Sequence, residues 1–163
     1  GPRDWAGLDG AAYLDDIAPD DLAAIEWLAE NAEENDVVLE APGCSYQVNG
    51  GMPTNRVASF TGVPAVIGWA GHERQWRGGQ DELYNEIEPR RQEVEAMFSN
   101  PGDPANFDFR GVTLLFVGTF EREGTGACDI AGPFPAVNDP AYPGPGWTEV
   151  FASGDTRIYR RDS

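Results

Sequence analysis

Three short, continuous apolar runs constrain the fold most: Val37-Val38-Leu39, Ala65-Val66-Ile67, and the residues from Val112 to Val117. A strand with one wet face alternates apolar and polar residues. These runs do not alternate, so they read as strands covered on both faces. Helical stretches separate them. Pro19 suits the first position of a helix, and Asp20 and Asp21 follow in the first turn, where the backbone dipole favours acids. Leu22, Ile25 and Leu28 then recur at helical spacing, up to a polar run from Asn31 to Asn35. Residues 80–98 carry Leu83, Ile87, Val94, Met97 and Phe98 on one side, and Pro89 predicts two helices meeting near Glu88.

The remaining segments are weaker. Residues 1–17 lack strong periodicity and read as an N-terminal arm, and residues 99–108 as a linker. Val57 to Phe60 reads as a short strand before a turn at Thr61-Gly62. Residues 124–146 are dense in glycine and proline and predict a long surface loop. Trp147 to Ala152 and Thr156 to Tyr159 alternate around Ser153-Gly154-Asp155, a hairpin signal. The whole implies one α/β domain over residues 1–163: a mostly parallel open sheet flanked by helices, with a C-terminal antiparallel hairpin at its edge.

Charge narrows the partners. The chain has 28 acidic residues against 11 basic ones, all arginine, for a net charge of −17. Such a chain repels nucleic acid and anionic lipid headgroups. The acids are spread along the sequence, and high acid content without lysine fits a GC-rich or salt-adapted source. Two cysteines, Cys44 and Cys128, and one histidine argue against a structural zinc site, and no cofactor motif is present. No stretch approaches the roughly 18 apolar residues that span a membrane.

In open α/β sheets, ligands bind beyond the carboxyl ends of parallel strands. The first strand runs into Glu40, Ser45 and Tyr46; the second into Trp69, His72, Glu73, Trp76 and Arg77; the third into Glu121 and Arg122. If the three strands are parallel neighbours, these clusters share one edge. His72-Glu73 resembles the start of a zinc-protease motif, but position 76 is Trp where the second histidine belongs. His72 then reads either as a hydrogen-bonded structural residue or as a substrate contact. Trp69 and Trp76 lie seven apart, which on a helix gives one face: core packing, or a stacking platform for a sugar or an isoprenoid phosphate. Arg74 and Arg77 would clamp a phosphate or carboxylate beside them. Glu40 would pair with Arg56 or Arg77, and Glu121 with Arg122, as structural ion pairs.

Several of these strings occur in one order. Leu8-Asp9-Gly10 precedes Ala12-Tyr13-Leu14, then Ala24-Ile25-Glu26-Trp27-Leu28 with Asn31. Val38-Leu39-Glu40-Ala41 follows with Gly43, Ser45 and Tyr46, then Arg56-Val57 with Thr61-Gly62-Val63-Pro64. The most specific string runs from Gly68-Trp69 through His72-Glu73, Gln75-Trp76-Arg77 to Gly78. Arg91 with Glu93-Val94, Val117-Gly118 with Glu121-Arg122, and Val150-Phe151 with Ile158-Tyr159-Arg160 complete the series. It resembles the C-terminal soluble domain of the YYY family (Chlor-Arch-YYY) of polytopic membrane proteins, whose membrane part is similar to lipid-dependent glycosyltransferases. Residues 99–111 are shorter than the resemblance implies, and loop 124–146 is an elaboration.

The resemblance implies an accessory domain on the extracytoplasmic face of the cell membrane. The transmembrane part of the same polypeptide would be its partner. It would help bind a glycan or a polyprenyl-phosphate-linked sugar through Glu40, Ser45, Tyr46, Arg56, Trp69, His72, Glu73, Trp76, Arg77, Glu121 and Arg122. The catalytic carboxylate of such enzymes lies in a loop between membrane helices, so no catalytic residue is expected here. Two other readings stand beside this one: a structural domain packed on the membrane part, and a stand-alone hydrolase using Glu40, His72 and Glu73.

Overall fold

The computed structural model describes residues 10–41, 48–49, 52–53, 55–66, 81–123, 137 and 139–163. The second half of the N-terminal arm is helical: α1 spans Gly10–Ile17 and α2 spans Pro19–Asn31. Leu14 and Ala18, one turn apart, are the buried positions around α1, too few to give an apolar rhythm. In α2 the inward stripe is Asp21, Ala24, Ile25 and Leu28, with Leu22 only half-buried. An acid therefore occupies a core position at the start of that helix.

The chain continues through β1 (Val38–Leu39), a small antiparallel ladder of β2 (Val48–Asn49) with β3 (Met52–Pro53), and α3 (Arg56–Thr61). Then come α4 (Asp81–Ser99), α5 (Pro104–Arg110), β4 (Leu114–Val117) and α6 (Thr119–Glu123). The hairpin β5 (Trp147–Ser153) and β6 (Thr156–Arg161) closes the fold.

Three expectations are corrected. Val57 to Phe60 is helix rather than strand. The backbone N–H groups of Val57 and Ala58 are capped from a distance by Glu40, at 3.3 and 2.9 Å, and nothing within four residues signals this. Residues 81–99 form one helix that runs through Pro89 rather than two meeting there. Its buried C-terminal half, with Val94, Met97 and Phe98 in the core, outweighs the missing N–H at Pro89. The linker over 99–108 contains α5, which starts at Pro104 behind Asp103, whose side chain caps Ala105 N at 3.1 Å.

The four-stranded sheet has the order β1-β4-β6-β5. Only β1 and β4 pair in parallel; β4 with β6 and β6 with β5 are antiparallel, so the sheet is mixed and open, not mostly parallel. The hairpin does not merely trim the edge. Its second strand pairs with β4, so the two strands of the hairpin make up half the sheet; an antiparallel neighbour needs no crossover helix. Gly154 takes the first loop position of the hairpin with φ +54°, the position a type II′ turn reserves for glycine. On the other side of β1, Val38 makes a single parallel bridge to Ala65 and donates to the carbonyl of Pro64 at 2.9 Å.

Side chains alternate across β6 and assign the layers. Thr156 bonds to Asp21 on α2, and Trp27 of α2 stacks on Phe151 of β5 with ring centroids 5.6 Å apart. Arg161, on the opposite face, meets α5 through Asp108 and lies over Phe107, which packs edge-on against Trp147. Helices thus cover both faces. Val38, Leu39, Leu114, Leu115, Phe116 and Ile158 form the sheet's part of the core.

One polar clamp ties the C-terminal strand to the start of β1. Buried Asp36 accepts two bonds from the Arg160 guanidinium (2.8 and 3.0 Å), one from Thr113 Oγ1 (2.7 Å) and one from Glu33 N (2.7 Å). Burial alone would raise the Asp36 pKa. The bonds from Arg160, Glu33 and Thr113 outweigh it and hold the carboxyl below the usual range. A depressed folded pKa means that this stabilisation is present above the unfolded pKa and is lost as pH falls through the folded one. Asp36→Ala should cost about 2–3 kcal/mol near neutral pH by chemical denaturation, and the penalty should shrink in acid. An equal penalty at both pH values would contradict the clamp.

Candidate functional site

Two structures meet at the carboxyl ends of β1 and β4: a buried ion network and an open cleft beside it. The network centres on Arg56, 1% exposed, at the first turn of α3. Its Nε and Nη2 donate to Asp21 Oδ2 at 3.1 and 2.8 Å, and Nη2 donates to Glu121 Oε2 at 3.1 Å. The guanidinium carbon lies 5.1 and 4.9 Å from the ring centroids of Phe116 and Phe120, and Nη1 is buried without a hydrogen-bond partner.

The carboxylates have further partners. Asp21 accepts from Thr119 N (3.2 Å) and Thr156 Oγ1 (2.7 Å). Glu121 accepts from Ala41 N (2.8 Å) through Oε1 and from Gly118 N (2.9 Å) through Oε2. The latter is half of a capping box, since Glu121 is the third residue of its own helix. Gly118 is required for packing: a Cβ there would lie 2.6 Å from Asp21 Oδ1 and 2.8 Å from Arg56 Nη2. Glu40 caps α3, where Asn55 makes no side-chain cap from its left-handed conformation.

Burial pushes Glu40 up to about 7, against the pull of Arg56 and the Ala58 and Val57 amides, with Glu121 adding to the rise. Burial also works against the charge on Arg56, but Glu121, Asp21 and Glu40 outweigh it and hold its pKa above the ordinary arginine value. Three carboxyls thus converge on a guanidinium; among the described residues no acidic or histidine cluster is disposed to hold a metal.

The cleft lies on the opposite face of β6 from Thr156. It measures about 260 Å³ and is lined in part by Val117, Arg122, Asp139, Tyr142, Arg157 and Tyr159. The hydroxyl of Tyr142 and Nη1 of Arg122 are buried without hydrogen-bond partners. Burial, with Glu121 and Tyr159 nearby, raises the Tyr142 pKa above the ordinary phenol value, so the phenol stays neutral and a donor. Arg157 is committed: its Nε pairs with Glu149 at 3.0 Å and its Nη1 donates to the Thr156 carbonyl at 2.9 Å.

Of the sequence-derived candidates, Glu40, Arg56 and Glu121 come together, and Arg122 lies next door. Two pairings differ from expectation. Arg56 bonds to Asp21 and Glu121, while Glu40 meets backbone amides. Glu121 pairs with Arg56, not with its neighbour Arg122, because successive residues at a helix start point in different directions. All three are sealed in the core, so they do not offer open ligand contacts. A hydrolase needs a reachable carboxylate, and Glu40 is 3% exposed with both oxygens bonded. Ser45, Tyr46, Trp69, His72, Glu73, Trp76 and Arg77, and both cysteines, lie outside the described residues.

Asp21 was legible as an acid on an apolar stripe, at helical spacing from Ala24, Ile25 and Leu28. Arg157 and Tyr159 follow from strand alternation. Nothing local marks Tyr142, which sits in the Gly/Pro segment. Comparison with family models, with curated proteins and with solved structures returned no match to this chain.

Gly118→Ala should destabilise the fold by about 2–3 kcal/mol, since backbone and buried charges must both shift. Glu40 yields a pH signature. Its folded pKa of about 7 lies above the ordinary 4.5. Its contribution is therefore complete below the lower value and lost as pH rises through the upper one, up to about 3 kcal/mol in total. Denaturation from acid to neutral pH should show this fall in the wild type and a flatter profile in Glu40→Gln. Parallel profiles would rule out a raised Glu40 pKa.

Proposed function

We propose that this chain is a recognition domain rather than a catalyst. In this reading it is an extracytoplasmic accessory domain of a multi-spanning membrane protein similar to lipid-dependent glycosyltransferases, and it binds a glycan or lipid-linked sugar. The supporting observation is the cleft at the end of β4. It combines two tyrosines, Tyr142 and Tyr159, with polar groups from Arg122 and Asp139, the mixture of flat apolar surface and directed polar groups that a sugar ring needs. The neighbouring Arg56 network supports the same reading indirectly. Its carboxylates are used up in holding the fold, so the acids of this edge position the cleft instead of doing chemistry. No described helix is long and apolar enough to cross a membrane.

One observation favours packing on the membrane part. Phe109 is 75% exposed on α5. A photo-crosslinker at position 109 of the full-length polypeptide would capture its membrane part if this face docks there.

Titration of the isotope-labelled chain with soluble glycans and short-chain polyprenyl-phosphate sugars tests the recognition reading. Amide signals of residues 117, 122, 139, 141, 142 and 157–159 should move, and Tyr159→Ala should weaken binding about tenfold. Ligand-induced changes confined to other parts of the chain, or none at all, would sink it.

A further inference from the structure

We propose that the cleft is an oxyanion site, in which Arg122 and Tyr142 together bind a phosphate or carboxylate group of the ligand. This rests on the reading of the cleft as a recognition site and names the group recognised there.

The argument is an account of donors and acceptors. Arg157, the other guanidinium of the cleft, is already occupied by Glu149 and by the Thr156 carbonyl. Arg122 has no ion pair and no side-chain hydrogen bond among the described residues, although the chain holds 28 acids against 11 arginines. Its Nη1 and the Tyr142 hydroxyl are both closed off from solvent without an acceptor. Leaving such a donor unsatisfied is costly, so folded chains rarely keep two on residues that line one cleft unless something else uses them. Both groups donate, and one of them is a cation. What satisfies both is an acceptor with several lone pairs and negative charge, the description of an oxyanion.

The neighbourhood sets the size of the ligand. Asp139 and Asp155 also line the cleft, and the chain as a whole carries −17. That field excludes a polyanion, while a single oxyanion in contact with a guanidinium gains more at short range than it loses at long range. The carboxylate of Asp139 is partly committed, since its Oδ1 accepts from Ala141 N at 2.8 Å. Tyr159 supplies a ring against which the neutral body of the ligand would lie. A sugar phosphate and a uronic acid share this chemistry.

The test is a titration of the isotope-labelled chain, read at the Arg122 side-chain and cleft amide signals. Its probes are inorganic phosphate, glucose 1-phosphate, glucuronate and methyl glucoside. The expected result is that glucose 1-phosphate or glucuronate binds at least tenfold more tightly than methyl glucoside, the tighter of the two identifying the source of the oxyanion. Arg122→Gln should remove that preference. Tyr142→Phe, which keeps the ring and deletes only the unpartnered hydroxyl, should fold as the wild type does and bind severalfold more weakly. Methyl glucoside binding equally well, with neither substitution mattering, would overturn the oxyanion site and leave glycan recognition standing. Inorganic phosphate binding as tightly as glucose 1-phosphate, through Arg122, would support the oxyanion site and defeat glycan recognition. No response from any probe would overturn the proposal.

Discussion

A single buried arginine holds this fold together. Arg56 joins α2 through Asp21 and α6 through Glu121, and Glu121 in turn reaches the chain just past β1 through Ala41 N. Removing such a charge from water is costly, and the cost is offset only when the partners are close and their remaining lone pairs are filled. Here the two carboxylates bonded to it are filled by backbone amides and threonine hydroxyls. The phenyl rings of Phe116 and Phe120 flank the guanidinium and keep water out. Deleting Arg56 would leave three carboxyls facing one another in the core, a far worse state than any apolar packing of the same space.

The same arrangement defines two helix starts. Short helices do not persist alone, because the first turn leaves N–H groups without acceptors. Glu40 supplies those acceptors for α3; Asp21 and Glu121 supply them for α6. The acids at the carboxyl edge are therefore structural capping groups as well as ion-pair partners. Glu121 turns inward to the network while the adjacent Arg122 lines the cleft, so α6 couples the rigid core to the side chains proposed to meet ligand. A recognition site gains precision when its side chains stand on an element locked in this way.

Parts of this were legible in the sequence. Val38-Leu39 and Leu114 to Val117 are continuous apolar runs and are parallel neighbours, and the hairpin around Gly154 forms with its turn at the expected residues. The convergence of Glu40 and Glu121 at one edge follows from that parallel pair. Other parts were not legible. Val57 to Phe60 has strand-like composition but becomes helix because a carboxylate 17 residues earlier caps it. Pro89 argues for a helix break, yet burial of Val94, Met97 and Phe98 sustains a single helix.

What the sequence by itself determined are the properties set by neighbours along the chain: the two-sided burial of Val38-Leu39 and of Leu114 to Val117, the helix start at Pro19, the glycine turn of the hairpin, and a net charge of −17. What only the tertiary structure decided is which acid meets which base, that β6 lies between β4 and β5, and that Tyr142 closes a cleft with Arg122. Local steric preference and hydropathy act over a few residues and leave a mark in the sequence. Ion pairing and strand order depend on groups brought together from distant positions, Asp21 with Arg56 and Leu114 with Arg160, and no short stretch of residues records such an encounter.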